Sequence, residues 1–217
     1  METIHDICKK YKITNYTVND DGSIDVNGDV NLSYGHLTEL PLIFNINDDG
    51  SIDDVNGNVY LSVEKLTELP LRFNKVTGYF NCFDNKLTSL KGSPKWVGGY
   101  FSCEDNLLTS LEFSPDYVDG WFGCSSNNLT SLDFSPEYVG GEFYCDNNQL
   151  TSLKGSPKWV GGYFSCEDNN LTNNYCDSEI CGYFYTTLKQ DGLTKYNYND
   201  WRKLYKRKMI LDDIFNM

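Results

Sequence analysis

The chain has 217 residues, with 18 Lys plus Arg against 31 Asp plus Glu, a formal net charge of −13. That length holds one domain with a sizeable core, and the acidity reads first as plain solubility and more sharply as attraction to a basic partner or repulsion of nucleic acid. There is no alanine, while Asn, Asp, Gly and Tyr abound, which disfavours helices and favours short strands and turns.

Residues 1–28 read as an N-terminal cap. Ile4, Ile7, Cys8 and Tyr11 recur at helical spacing among Lys9, Lys10 and Lys12, which predicts a short amphipathic helix over residues 1–13 covering one end of the molecule. METIHDICKK lacks the basic start and continuous apolar run of a signal peptide, and no stretch is long enough to span a membrane, so a cytoplasmic protein is expected. The segment Asn15–Val26 alternates around Asn19-Asp-Asp-Gly22 and predicts a β-hairpin. The phrase returns as Ile46–Asp53. Both copies resemble calcium loops in their Asp-Gly and following Ile. However, Thr17 and Gly28 in the first copy, and Asn45 and Asn56 in the second, stand where the end ligands belong, so plain hairpins without metal are the reading.

Residues 29–77 hold two divergent repeats with the second hairpin inserted. Val30-Asn-Leu32 and Val59-Tyr-Leu61 lie 29 residues apart, each followed by Leu-Thr-Glu-Leu-Pro, at Leu37–Pro41 and Leu66–Pro70. Residues 78–190 hold the regular array and a last degenerate strand. The array has a period of 21: Phe80, Phe101, Phe122, Phe143 and Phe164 form one column and Cys82, Cys103, Cys124, Cys145 and Cys166 another. Asn85, Asn106, Asn127, Asn148 and Asn169 follow, then Leu87, Leu108, Leu129, Leu150 and Leu171. Residues 87–106 recur unchanged at 150–169, the mark of duplication. A strict period of this size is the signature of a solenoid, in which each repeat packs only on its neighbours.

Within a repeat, Phe and Cys stand two apart and so face the same side of a strand. Leu87, Leu90 and Val97 and their equivalents fill the remaining core. The Asn column, where the chain leaves the strand, is placed to satisfy backbone groups and to stack on itself. Pro94, Pro115, Pro136 and Pro157 predict an extended, polyproline-like return, and pairs such as Gly98-Gly99 turn the chain into the next strand. Five of the eight cysteines belong to one column, and the histidines, His5 and His36, lie elsewhere, so buried reduced thiols are expected rather than zinc ligands or disulfides.

After Asn169 the pattern decays. Gly182-Tyr-Phe-Tyr185 resembles one last strand, and Asp191-Gly192 marks a turn. Residues 191–217 read as a C-terminal helical cap, started by Asn199-Asp200 and lined by Trp201, Leu204, Tyr205, Leu211, Ile214 and Phe215. Residues 195–217 carry six basic side chains against three acidic ones, reversing the sign of the rest of the chain.

The motif Phe101-x-Cys103-x-x-Asn106-x-Leu108-x-x-Leu111 fits the leucine-rich repeat pattern L-x-L-x-x-N-x-L-x-x-L. The short period and the Leu-Thr-Ser-Leu…Pro phrase look like the bacterial-type repeats of secreted effectors. The layout over residues 1–190 is more similar still to leucine-rich repeat proteins of large bacteriophages, through Ile7–Tyr11, Asp21–Ser33 and Leu87–Cys103. The resemblance implies a mainly β solenoid: a leucine-rich repeat horseshoe of parallel strands with an N-terminal helix and hairpin cap and a C-terminal helical cap. The effectors carry a large catalytic domain after their repeats. Only about forty residues follow here, so that activity is not implied.

In such a horseshoe the residues between buried strand positions look out from the concave face. Those positions carry Tyr79, Tyr100, Trp121, Glu142 and Tyr163 before each Phe, and Asn81, Ser102, Gly123, Tyr144 and Ser165 between Phe and Cys. Phe83, Glu104, Ser125, Asp146 and Glu167 follow each Cys, and next come Asp84, Asp105, Ser126, Asn147 and Asp168. The expectation is an aromatic stripe beside an acidic stripe, suited to a protein partner and especially a basic one. A second aromatic row, Trp96, Tyr117, Tyr138 and Trp159, is expected to cover the convex side. Arg202, Lys203, Lys206 and Arg207 form a secondary candidate contact, whose plainer reading is the solvated face of a capping helix. There is no phosphate-binding loop, nucleophile elbow or Cys–His pair, so neither an enzyme nor a cofactor is expected. A non-enzymatic protein-binding module leads, and the resemblance to the phage proteins implies use against a host factor. The alternatives are a self-associating structural protein and an acidic mimic of nucleic acid.

Overall fold

The alternation that points Phe101 and Cys103 inward also sets each rung directly on the next. In the computed structural model, Phe101–Ser102 pairs in parallel with Phe80–Asn81 on one side and Phe122–Gly123 on the other, each residue facing its equivalent 21 positions away. The structure describes residues 3–10, 13–18, 20, 24–33, 55–62, 65–69, 73–172, 176, 178–180, 182–190 and 193–197. Among them the fold is a mainly β solenoid of about six turns built on two parallel sheets.

The front sheet runs from Val30–Asn31 through Val59–Tyr60, Phe80–Asn81, Phe101–Ser102, Phe122–Gly123, Phe143–Tyr144 and Phe164–Ser165 to Tyr183–Gln190. Val30 pairs with Val59, so the step of 29 keeps the register of the later steps of 21. The back sheet stacks Lys75–Val76, Trp96–Val97, Tyr117–Val118, Tyr138–Val139, Trp159–Val160 and Glu179–Ile180. Single bridges from Val26 to Val55 and from Val55 to Val76 extend it toward the N-terminus. The return segments are thus more than polyproline-like connections. After each buried proline, an aromatic and a valine pair with the rungs above and below. In the turn that leads from each back strand to the next front strand, the backbones of successive rungs touch: an added Cβ at Gly120 would lie 2.8 Å from the Gly99 carbonyl carbon, which only glycine permits.

The core lies between the sheets. Phe80, Phe101, Phe122, Phe143, Phe164 and Phe184 are fully buried, and the rings of Phe80, Phe101 and Phe122 stack at 5.3–5.4 Å and 7°. Each such burial contributes on the order of 1.5–3 kcal/mol before ordering entropy is subtracted. The ladder cysteines are free thiols, each Sγ donating to the carbonyl of the following strand, as Cys103 does to Gly123 at 3.3 Å. Each asparagine of the column stitches its own rung to the one before it. Asn106 Nδ2 donates to the carbonyls of Cys82, Cys103 and Glu104 at 3.0–3.1 Å, and its Oδ1 accepts the Leu87 N–H at 2.9 Å.

At the N-terminal end, helix Ile4–Lys10 places Cys8 in the core, and strands Tyr16–Val18 and Ile24–Val26 form the expected antiparallel hairpin. At the other end, Tyr183–Gln190 stacks Phe184 on Phe164, and Leu193–Asn197 folds back on it antiparallel. These five residues, which precede the helix expected from Asn199-Asp200, form a strand: Thr194 and Tyr196 favour extended backbone, and an open sheet edge lies beside them. The second hairpin, Leu37–Pro41, and the terminal helix with Trp201 and its neighbours lie outside the described residues.

Candidate functional site

The strand alternation that buries Phe80, Phe101 and Phe122 turns the residues before them outward. Tyr79, Tyr100 and Trp121 form one continuous stack, with centroids 4.5 and 4.4 Å apart and ring planes within 9°. Rung spacing is roughly 4.8 Å, so rings in register must lie face to face. Tyr60 meets the Tyr79 end edge-on at 6.1 Å, and Tyr144 meets the Trp121 end edge-on at 6.1 Å. Glu142 interrupts the column. Tyr163 resumes it, with Tyr183 and Tyr185 each 5.8 Å away. Tyr60, Tyr183 and Tyr185 were not among the sequence candidates. Counting four periods back from Tyr144 reaches Tyr60, and one shortened step of 20 links Tyr163 to Tyr183.

Beside the stack lies the acidic column. Gly123 leaves the sheet flat there: an added Cβ would sit 2.7 Å from Glu104 Cδ and 2.8 Å from the Trp121 ring. Glu104 therefore folds over the sheet toward the ring and covers Ser102, whose hydroxyl donates to Oε2 at 3.2 Å. This corrects one expectation. Ser102 and Ser165 point out of the sheet but are only 2% and 6% exposed, because a carboxylate lies across each. Asp146 covers Ser165, accepting its hydroxyl at 2.5 Å and the Glu167 N–H at 2.7 Å on Oδ1, with the Ser125 hydroxyl on Oδ2 at 3.4 Å. Asp146 is thus committed to holding the rungs together. Burial, with Asp105 and Asp146 nearby, raises the Glu104 carboxyl above the usual range, partly offset by the Ser102 hydroxyl. Burial and the neighbours Asp146 and Asp168 raise Glu167 likewise. Burial, then Glu142, Glu104 and Asp146, raises the Tyr144 hydroxyl. Phe83 holds the same place as Glu104 one rung earlier and is 36% exposed.

The outer acidic column has a backbone origin. Asp84, Asp105, Ser126, Asn147 and Asp168 all adopt left-handed φ between +50° and +54°. Asp and Asn tolerate that region best among residues with a Cβ, so shape accounts for much of this stripe. Asp84, Asp105 and Asp168 are exposed there, available to a partner but chosen first by the turn. The predicted second aromatic row is on the back sheet, with Tyr117 and Tyr138 stacked at 4.6 Å and Lys75 Nζ 4.7 Å from the Trp96 ring. Arg202, Lys203, Lys206 and Arg207 lie outside the described residues.

Chemically the front face offers a hydrocarbon and π surface edged by partly desolvated carboxylates. Such a surface can hold Lys and Arg side chains, whose aliphatic stems lie along the exposed ring edges and whose cations reach the carboxylates beside them. Among the described residues no group of three or more His, Cys, Asp or Glu is arranged to hold a metal, and no helix is long and apolar enough to cross a membrane. No family model, curated protein or solved structure matches the chain, so the reading of this face rests on its own geometry.

Proposed function

We propose that the chain is a non-enzymatic protein-binding module of the leucine-rich repeat type, acting in the cytoplasm on a Lys- or Arg-rich protein through its front face. The observation that carries this reading is the Tyr79–Tyr100–Trp121 stack running beside Glu104 across the flat floor at Gly123. Tyr and Trp anchor interfaces because they bury much area with few rotors, and stacking has already ordered these rings before a partner arrives. The inward Asn ladder and the parallel front strands support a leucine-rich repeat horseshoe, with the N-terminal helix and the C-terminal segment sealing its ends. Origin in a large bacteriophage and use against a host factor follow from the sequence resemblance.

The test is binding of a set of Lys/Arg-rich peptides and of a matched Asp/Glu-rich set to the wild type and to the Tyr100→Ser, Trp121→Ser, Tyr163→Ser variant. Circular dichroism establishes that both proteins are folded. The basic set should bind the wild type and lose at least tenfold in affinity for the variant. Equal binding of both sets, or of both proteins, overturns the reading.

A further inference from the structure

On the corner that leads into the back sheet, one position in each of four successive rungs adopts left-handed φ. Two rungs fill it with glycine, Gly92 at +106° and Gly155 at +84°, as that backbone favours. The two rungs between them place phenylalanine there, Phe113 at +71° and Phe134 at +68°. A bulky residue at positive φ is an outlier. Burial does not compensate it: Phe113 is 49% and Phe134 64% exposed, among the most exposed large apolar side chains described. Backbone strain combined with an exposed apolar ridge calls for an occupant.

The ridge borders a groove of about 550 Å³ whose lining includes Phe73, Gly92, Lys95, Phe113, Asp116 and Phe134. These residues come from four successive rungs, and the middle of the set falls between the rung of Gly92 and the rung of Phe113. The features on either side of that midline are complementary. The rung of Gly92 presents a hollow flanked by Lys91 and Lys95, and the next presents the Phe113 knob flanked by Glu112 and Asp116.

We propose that two copies of the chain associate across this corner, about a two-fold axis between those two rungs. Such an axis reverses rung order. Phe113 of each copy then enters the hollow at Gly92 of the other, and Phe134 comes over the groove floor at Phe73. Lys91 and Lys95 of each copy face Glu112 and Asp116 of the other. One axis satisfies both the shape match and both charged columns, so the occupant is the same surface inverted. The front face stays free for its partner.

Sedimentation equilibrium over a wide concentration range tests the proposal. The wild type should pass from monomer mass to twice that mass. F113G/F134G, which installs the residue of the sister rungs, should stay monomeric with a thermal midpoint no lower than wild type. K91E/K95E should be monomeric alone, as should E112K/D116K, and a 1:1 mixture of the two should regain the double mass, because each then presents the other with opposite charge at both contacts. The front-face variant Tyr100→Ser, Trp121→Ser, Tyr163→Ser should dimerise like wild type. A wild type monomeric throughout, an unchanged dimer in F113G/F134G, or a mixture that fails to associate overturns the proposal.

Discussion

Replacing Asn127 by alanine removes one member of the ladder without touching either surface. Asn127 Nδ2 donates to the carbonyls of Cys103, Cys124 and Ser125 at 3.0–3.2 Å, and Oδ1 accepts the buried Leu108 N–H at 2.9 Å. The carbonyls survive the loss. Cys103 O keeps Asn106, Cys124 O keeps Asn148, and Ser125 O keeps the Asp105 N–H. Only the Leu108 N–H is orphaned, at about 1–3 kcal/mol, and the three lost donations add a smaller sum because their acceptors remain paired. The expected total is about 3 kcal/mol, against under ~0.5 kcal/mol for Asn128→Ala next door, whose Oδ1 only accepts from Gln149. Urea unfolding followed by circular dichroism gives the difference, and hydrogen exchange reads the Leu108 amide directly. A cost below ~1 kcal/mol with Leu108 still protected would refute the accounting, since it would mean that the ladder bonds are replaceable.

Three further outcomes follow from the same geometry. Because the Glu104 carboxyl is raised in the folded state, the native chain holds its proton more tightly than the unfolded chain, and this site makes stability fall as pH climbs through and above the ordinary glutamate value. Glu104→Gln should therefore raise the thermal midpoint over wild type at neutral pH and lose that advantage near pH ~4; an advantage independent of pH counts against the burial argument. Burial drives the thiols of Cys82, Cys103, Cys124, Cys145 and Cys166 far above their ordinary range, so none should be alkylated at mildly alkaline pH until denaturant is added, as peptide mass mapping would show. At Asp105, φ of +51° makes Asp105→Gly neutral or stabilising and Asp105→Val costly by about 1–2 kcal/mol; equal stabilities for the two variants would show that the turn does not select this residue.

The architecture was legible in the sequence because it is periodic. Phe, Cys, Asn and Leu at a spacing of 21 state which side chains face inward, and a parallel solenoid is the arrangement that stacks each column on itself. The site was legible only as a list of outward positions. Sequence order names Tyr79, Tyr100 and Trp121 as one column, and register alone brings their rings face to face. It cannot say that Glu104 and Asp146 lie flat across Ser102 and Ser165 and bury them, because that depends on rotamers chosen between rungs. Nor does composition separate the two origins of the acidic stripe, the left-handed turns at Asp84, Asp105 and Asp168 and the carboxylates laid across the sheet.

By itself, then, the sequence determined the repeat, the buried columns and the face each residue takes, since all three follow from the two-residue alternation within a strand and the 21-residue return. The tertiary structure decided what the surfaces are. It turned the return segments into a second sheet, made Leu193–Asn197 a strand against an open edge, and set Phe113 and Phe134 on strained backbone where sister rungs use glycine. Those outcomes rest on contacts between residues at least one rung apart, and their energies exist only once the rungs are stacked.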